Sequence, residues 1–228
     1  MSPGRLRGVV SRWPAWVEVL IVALGVFGLI ILGSARYLSG KVPSAAITES
    51  HLRSLLVQEP VILLVVGGFL YLRGWTPKRL SRPPRSIDAL VGLGLGIGAY
   101  TAYIILWTLA TAARLQPTYL HGATTMVSGH MALITVIAVC IINPLFEEVF
   151  VCGYVITLAK ERGHLTIGVN ASIAIRLAYH LYQGGVGVVA IVPFGLIMAV
   201  WYSRTHRLWP VMIAHALNDF VGLIGAVY

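Results

Sequence analysis

Seven long apolar runs dominate this chain, at residues 16–34, 54–72, 88–112, 129–158, 166–183, 186–203 and 208–227. Lipid offers no partner to a backbone N–H or C=O, so only helices and closed barrels can cross it. Barrel strands alternate in polarity residue by residue, whereas these runs are continuous. The expected fold is all-α, a polytopic transmembrane helical bundle of about seven spans. Composition agrees: 57% of residues are hydrophobic and 11% charged, against roughly 45–50% and about 25% in soluble domains. Seven spans of ~20 residues use up most of the 228 residues and leave no room for a separate soluble domain. Residues 1–128 hold spans one to three and residues 129–228 hold spans four to seven, in one compact membrane domain.

The basic residues orient the bundle. Arg5, Arg7, Arg12, Arg73, Lys78, Arg79, Arg82, Arg85, Lys160, Arg162, Arg204 and Arg207 fall on one side of the alternating runs, and Arg36, Lys41, Arg53 and Arg114 on the other. Twelve against four places the N-terminus in the cytoplasm and the C-terminus outside. The same bias, with attraction to an anionic membrane surface, accounts for the net charge of +9 and excludes any need for a nucleic-acid partner. The first run is long and its loss would spoil the alternation, so it is expected to be an uncleaved span rather than a signal peptide. Cys140 and Cys152 both lie in apolar runs, and two cysteines so placed form no disulfide framework or metal-binding pattern. Gly92, Gly94, Gly96 and Gly98 in the third run would let a neighbouring helix approach closely.

Ionisable groups inside spans are rare and usually face the bundle interior. Glu18 and Glu59 are expected near helix ends, within reach of water. The others gather in the second half: Glu147 and Glu148 on span four, Arg176 and His180 on span five, His215 and Asp219 on span seven. The last two pairs are spaced i and i+4, on one helix face. Adjacent glutamates are about 100° apart around a helix, so one should point inward and the other toward a flank. Three helices would each bring a polar pair to one wet cavity. Any one pair alone also serves as helix–helix glue. His51, His121, His130, His164 and His206 receive no role.

The order Glu147-Glu148, His180, then His215-x-x-x-Asp219 resembles the CAAX-protease and bacteriocin-processing (Abi) family of intramembrane proteases, the group that includes type II CAAX prenyl proteases. Its motifs are two glutamates followed after three residues by arginine, a phenylalanine four residues before a histidine, and a histidine four residues before Asn or Asp. "EEVFVCGY" at 147–154 and "HALND" at 215–219 carry the likeness. Two positions depart from it: Cys152 stands at the arginine and Arg176 at the phenylalanine. Arg176 is expected to supply the missing guanidinium from across the cavity, beside Glu148.

The resemblance implies an intramembrane endopeptidase acting on a membrane-associated or lipidated peptide or protein. In that scheme Glu147 is the general base on a water, His180 positions it, and His215 with Asp219 stabilises or orients, Asp219 fixing the His215 tautomer. Glu148 belongs to the same set, and Arg176 and Cys152 support it. No cofactor is expected to be required; Zn²⁺ on Glu147, His180 and His215 is the alternative, although no H-E-x-x-H helix is present. A catalytically inactive scaffold of membrane partners and an ion-coupled transporter remain open. The expected setting is the plasma membrane of a prokaryote. Depth poses a difficulty: counted from the basic loops, Glu147, His215 and His180 lie about 13, 8 and 18 residues in, up to ~15 Å apart at 1.5 Å per residue.

Overall fold

A computed structural model of the chain describes residues 8–10, 12–38, 47–113 and 127–227. Arg5, Arg7, Lys41, Arg114 and His121 lie outside the described residues. Among the described residues, seven apolar helices form the bundle. Helix α1 runs through Ala15–Val22, a π-helical turn at Ala23–Gly28, and Leu29–Leu38. Helices α2 (Glu49–Leu72) and α3 (Ile87–Ala112) follow. Helix α4 comprises Leu133–Glu148, a second π-helical turn at Val149–Tyr154, and Val155–Glu161. Helices α5 (Leu165–Tyr179), α6 (Gly184–Thr205) and α7 (Leu208–Leu223) complete it. Among the described residues the only β feature is a bridge between Ile47 and Val127. Five of these helices are long and apolar enough to cross a bilayer. The other two, α5 and α7, have 15 and 16 residues, about 23–24 Å, short of a ~30 Å hydrocarbon core.

Local chemistry sets the helix ends. Thr48 accepts from the His51 N–H at 3.2 Å and caps α2, satisfying one of the free N-terminal donors. Gly163, at φ +78°, ends the turn after α4 in the left-handed region that glycine adopts without penalty. At the end of α6, His206 takes φ +55°, and Leu208 N–H then donates to Ser81 Oγ at 3.0 Å to start α7.

The basic loops share one end of the bundle. Arg73 Nη1 donates to the carbonyls of Val10 and Trp13 at 2.8 Å. Arg79 pairs with Glu161 at 2.6 Å, Arg207 with Asp88 at 2.6 Å, and Arg82 N–H reaches the His206 carbonyl. The opposite end is tied by Glu49, which accepts from Thr135 Oγ1 at 2.7 Å and from Ala132 N–H at 3.2 Å. Outward-facing Leu29, Leu64 and Ile134 are more than 70% exposed, as lipid-facing residues should be.

Of the four glycines of α3, two make a close approach. A Cβ on Gly92 would sit 2.7 Å from Ile213 Cβ, and one on Gly96 3.4 Å from the Ala214 carbonyl, whereas Gly94 and Gly98 have nothing within 4 Å. Gly92 and Gly96 therefore bring α7 against α3.

Glu18 and Glu59 do not reach water as their expected positions near helix ends suggested. They are 6% and 5% exposed. Glu18 accepts from Arg73 Nε at 2.8 Å, Trp75 Nε1 at 2.9 Å and the Tyr154 hydroxyl at 3.2 Å. Glu59 lies ten residues into α2, about 15 Å from its start, because α2 begins at Glu49 rather than at residue 54.

Candidate active site

The depth difficulty disappears once the true helix starts are known. Glu147 is 14 residues from the end of α4 at Glu161, and His180 is 15 residues from the start of α5 at Leu165, so both lie about 21–23 Å in. Helix α7 starts deep: a Cβ on Gly153 would be 3.1 Å from Leu208 Cδ1. Gly153 is six residues from Glu147 and His215 is seven from Leu208, so His215 arrives level with the glutamates. His180 is not within α5 but caps it, at the turn Leu181–Gln183 that precedes α6.

The two glutamates occupy different surroundings, and neither faces lipid. Glu148 is 0% exposed. Arg176 Nη2 donates to both its oxygens at 2.7 Å, so the pair expected across the bundle is present. His215 Nδ1 lies 2.7 Å from Glu148 Oε1; a carboxylate only accepts, so that ring nitrogen carries the proton. Glu148 thus contacts one ring nitrogen of His215, and Asp219 Oδ1 stands 3.5 Å from the other, Nε2.

Glu147 is turned instead to a cavity of about 910 Å³. Its Oε2 accepts from the Tyr179 hydroxyl and lies 3.9 Å from His180 Nε2, 3.9 Å from His215 Nε2 and 3.5 Å from Arg176 Nη1. Its Oε1 accepts from Asn143 Nδ2 at 3.2 Å. Glu147, His180, His215 and Asp219 all line the cavity. Cys152 does not; it is fully buried, with Sγ 3.9 Å from Ser172 Oγ and 4.0 Å from Arg176 Nη2. Gly195 leaves room for the arginine stem, since a Cβ there would be 3.3 Å from Arg176 Cδ.

Ligand atoms of Glu147, Glu148 and His215 lie within 4.8 Å of one another. This set differs from the Zn²⁺ set considered from the sequence, Glu147, His180 and His215, and its atoms already have other partners. Both Glu148 oxygens and His215 Nδ1 are engaged, and a cation between the carboxylates would meet the Arg176 guanidinium. Two positive charges a few ångströms apart repel strongly in a medium of low dielectric constant.

Residues 129–221 match a family model described as type II CAAX prenyl endopeptidase Rce1-like. This segment is Rce1-like. No curated protein and no solved structure matches the chain. The match covers 93 of the 228 residues, and over that segment the chain is similar to type II CAAX prenyl endopeptidases. The Rce1-like segment contains every polar residue singled out on spans four, five and seven. It also contains Asn143 and Tyr179, which the sequence reading passed over. Asn143 is one helical turn before Glu147, on the same face, and that spacing was the available signal. Tyr179 directly precedes His180, where no periodicity marked it. Glu59 also lines the cavity but lies outside the matched residues.

Proposed function

We propose that the chain hydrolyses a peptide bond of a membrane-associated or lipidated substrate with a water activated by Glu147, without a bound metal. The observation that carries this is the placement of Glu147 Oε2, 3.9 Å from the Nε2 atoms of both His180 and His215 and on the cavity wall. Groups at that separation leave room for a water at ordinary hydrogen-bond distance from Glu147 and either imidazole. Glu147 takes the water proton as hydroxide attacks the scissile carbonyl, and returns it to the leaving amine. His215, as an imidazolium, donates Nδ1–H to Glu148 and leaves Nε2–H for the oxyanion. His180 positions the water. Asp219 faces the same Nε2 and balances the imidazolium charge.

Arg176 with Glu148 forms the support beneath this water. The guanidinium neutralises one of two adjacent carboxylates, which otherwise disfavour double ionisation. That pairing supports an active site over a scaffold with a ruined one, because the charge expected at Cys152 is supplied from α5. The basic end of the bundle, by the positive-inside rule, faces the cytoplasm of a prokaryotic cell.

The test is substrate trapping. Glu147→Gln protein in its native membrane is cross-linked, and the captured peptides are read by mass spectrometry and then offered to purified wild-type protein in liposomes with excess chelator. Cleavage by wild type and none by the variant is expected. Cleavage abolished by chelator would remove the metal-free mechanism. A variant that loses ion-driven solute accumulation would indicate a transporter, and captured partners that wild type never cuts would indicate a scaffold.

A further inference from the structure

Glu59 has no assigned role, yet its place is costly. An acid buried at mid-membrane is expensive, and this one is 5% exposed. Asn143 Nδ2 donates to Glu59 Oε1 at 2.8 Å and to Glu147 Oε1 at 3.2 Å. Glu59 Oε2 is buried without a hydrogen-bond partner. The amide thus bridges a carboxyl group of α2 and the carboxyl group of α4 that faces the cavity.

An asparagine side chain presents either its NH₂ or its oxygen to a neighbour, according to which way the amide is turned. Between two accepting carboxyl oxygens only the NH₂ face has partners on both sides, so Glu59 and Glu147 together fix the amide. Without the acceptor oxygen at position 59 the amide can turn its oxygen toward Glu147, which places two acceptors together and leaves Glu147 Oε1 without its donor. Asn143 holds Oε1 of Glu147, while Oε2, which accepts from the Tyr179 hydroxyl, faces both imidazoles and Arg176. The Asn143 contact therefore shares with Tyr179 the aim of the carboxylate.

We propose that Glu59 is a positioning residue for Glu147, acting through Asn143 from a helix outside the family-matched segment. The catalytic consequence rests on the reading of Glu147 as the base; the structural link does not. A plain helix–helix hydrogen bond between α2 and α4 would hold the helices together but would leave the Glu147 carboxylate unaffected by changes at position 59.

The deciding measurement is the infrared antisymmetric carboxylate stretch of Glu147, isolated as the difference between full-length wild type and Glu147→Gln in the same detergent. Glu59→Gln, Glu59→Met and Asn143→Leu should each move this band, and the double variant Glu59→Gln with Asn143→Leu should move it no further than Asn143→Leu alone. A band unmoved by both position-59 variants while Asn143→Leu moves it, or a double variant whose shifts add, would overturn the proposal. Thermal unfolding of each variant identifies any that fails to fold, and two chemically different replacements at position 59 keep the comparison open. Cleavage is read separately on peptides captured by the Glu147→Gln trap. Glu59→Gln should lower kcat about 10-fold, less than the ~10²-fold cost of a 1 Å misplacement, with KM within 2-fold (roughly 0.4 kcal/mol). If Glu147→Gln itself still cleaves, the base assignment is wrong, and the band result still decides the role of Glu59.

Discussion

Two of the buried acid clusters among the described residues differ in how completely they are satisfied. At the basic end, Glu18 accepts from Arg73, Trp75 and Tyr154, and no atom of these four side chains is among the buried groups left without a hydrogen bond. At mid-membrane, Glu59 Oε2, Asp219 Oδ2 and Arg176 Nη1 and Nε are all buried without one, beside a cavity of about 910 Å³. Buried polar groups are normally paired, and exceptions call for a reason. Closed pairing holds helices together, whereas surplus donors and acceptors around a cavity are what a water and a substrate would fill.

The comparison breaks first at Glu147. Glu147→Gln keeps the shape and the Asn143 donor but removes the base, so cleavage of trapped peptides should fall by about 10²–10⁴-fold with the melting temperature preserved. A variant that unfolds instead, read by thermal scanning in detergent, would make the mid-membrane cluster structural like the rim.

Arg176 comes next. Arg176→Phe removes the guanidinium from Glu148, 0% exposed, and leaves it only His215 Nδ1–H; removing one partner of a buried pair costs about 3–5 kcal/mol. Adding Cys152→Arg should restore much of this, since Cys152 Sγ lies 4.0 Å from Arg176 Nη2. Thermal stability of the single and double variants checks both statements. A double variant as unstable as Arg176→Phe, with Arg176→Ala harmless, would mean that Arg176 does not stand in for an arginine at 152.

The rim should answer differently. Glu18→Gln retains one acceptor but removes the charge facing Arg73, and is expected to cost about 1–3 kcal/mol, read as a lower melting temperature. Turnover per folded molecule should stay at the wild-type value. A matching loss of turnover would erase the distinction between the clusters.

The sequence disclosed much of this arrangement, for physical reasons. Continuous apolar runs announced the helices because lipid tolerates no other open element. The departures at Cys152 and Arg176 announced their own compensation, since a guanidinium lost from one helix and gained on another keeps the charge balance. Helix depth stayed hidden. That α7 starts level with Gly153 depends on a tertiary contact with Leu208, and no count of residues from a loop contains it. Glu59 was misjudged for the same reason: its depth follows from the Thr48 cap, which lies upstream of the apolar run. Tyr179 read as an ordinary helix residue until α5 was set against α4, and the contact of Asn143 with Glu59 appeared only once α2 was set against α4.

The smallest expected effects test the seam that carries His215. Gly92→Ala places a methyl 2.7 Å from Ile213 Cβ and 2.9 Å from the Pro210 carbonyl, closer than carbon atoms pack. Helix α7 must then move away from α3, at about 1–3 kcal/mol for the overpacking. Because α7 carries His215 and Asp219, the displacement should also lower turnover. Gly94→Ala, one turn face away with nothing within 4 Å, should change stability by less than about 1 kcal/mol, the helix-propensity difference between the two residues, and leave turnover alone. The pair isolates position from composition: both variants add one methyl to the same helix, and only the one facing α7 should reach the active site. Equal effects from the two would mean that the α3–α7 contact does not set where His215 stands.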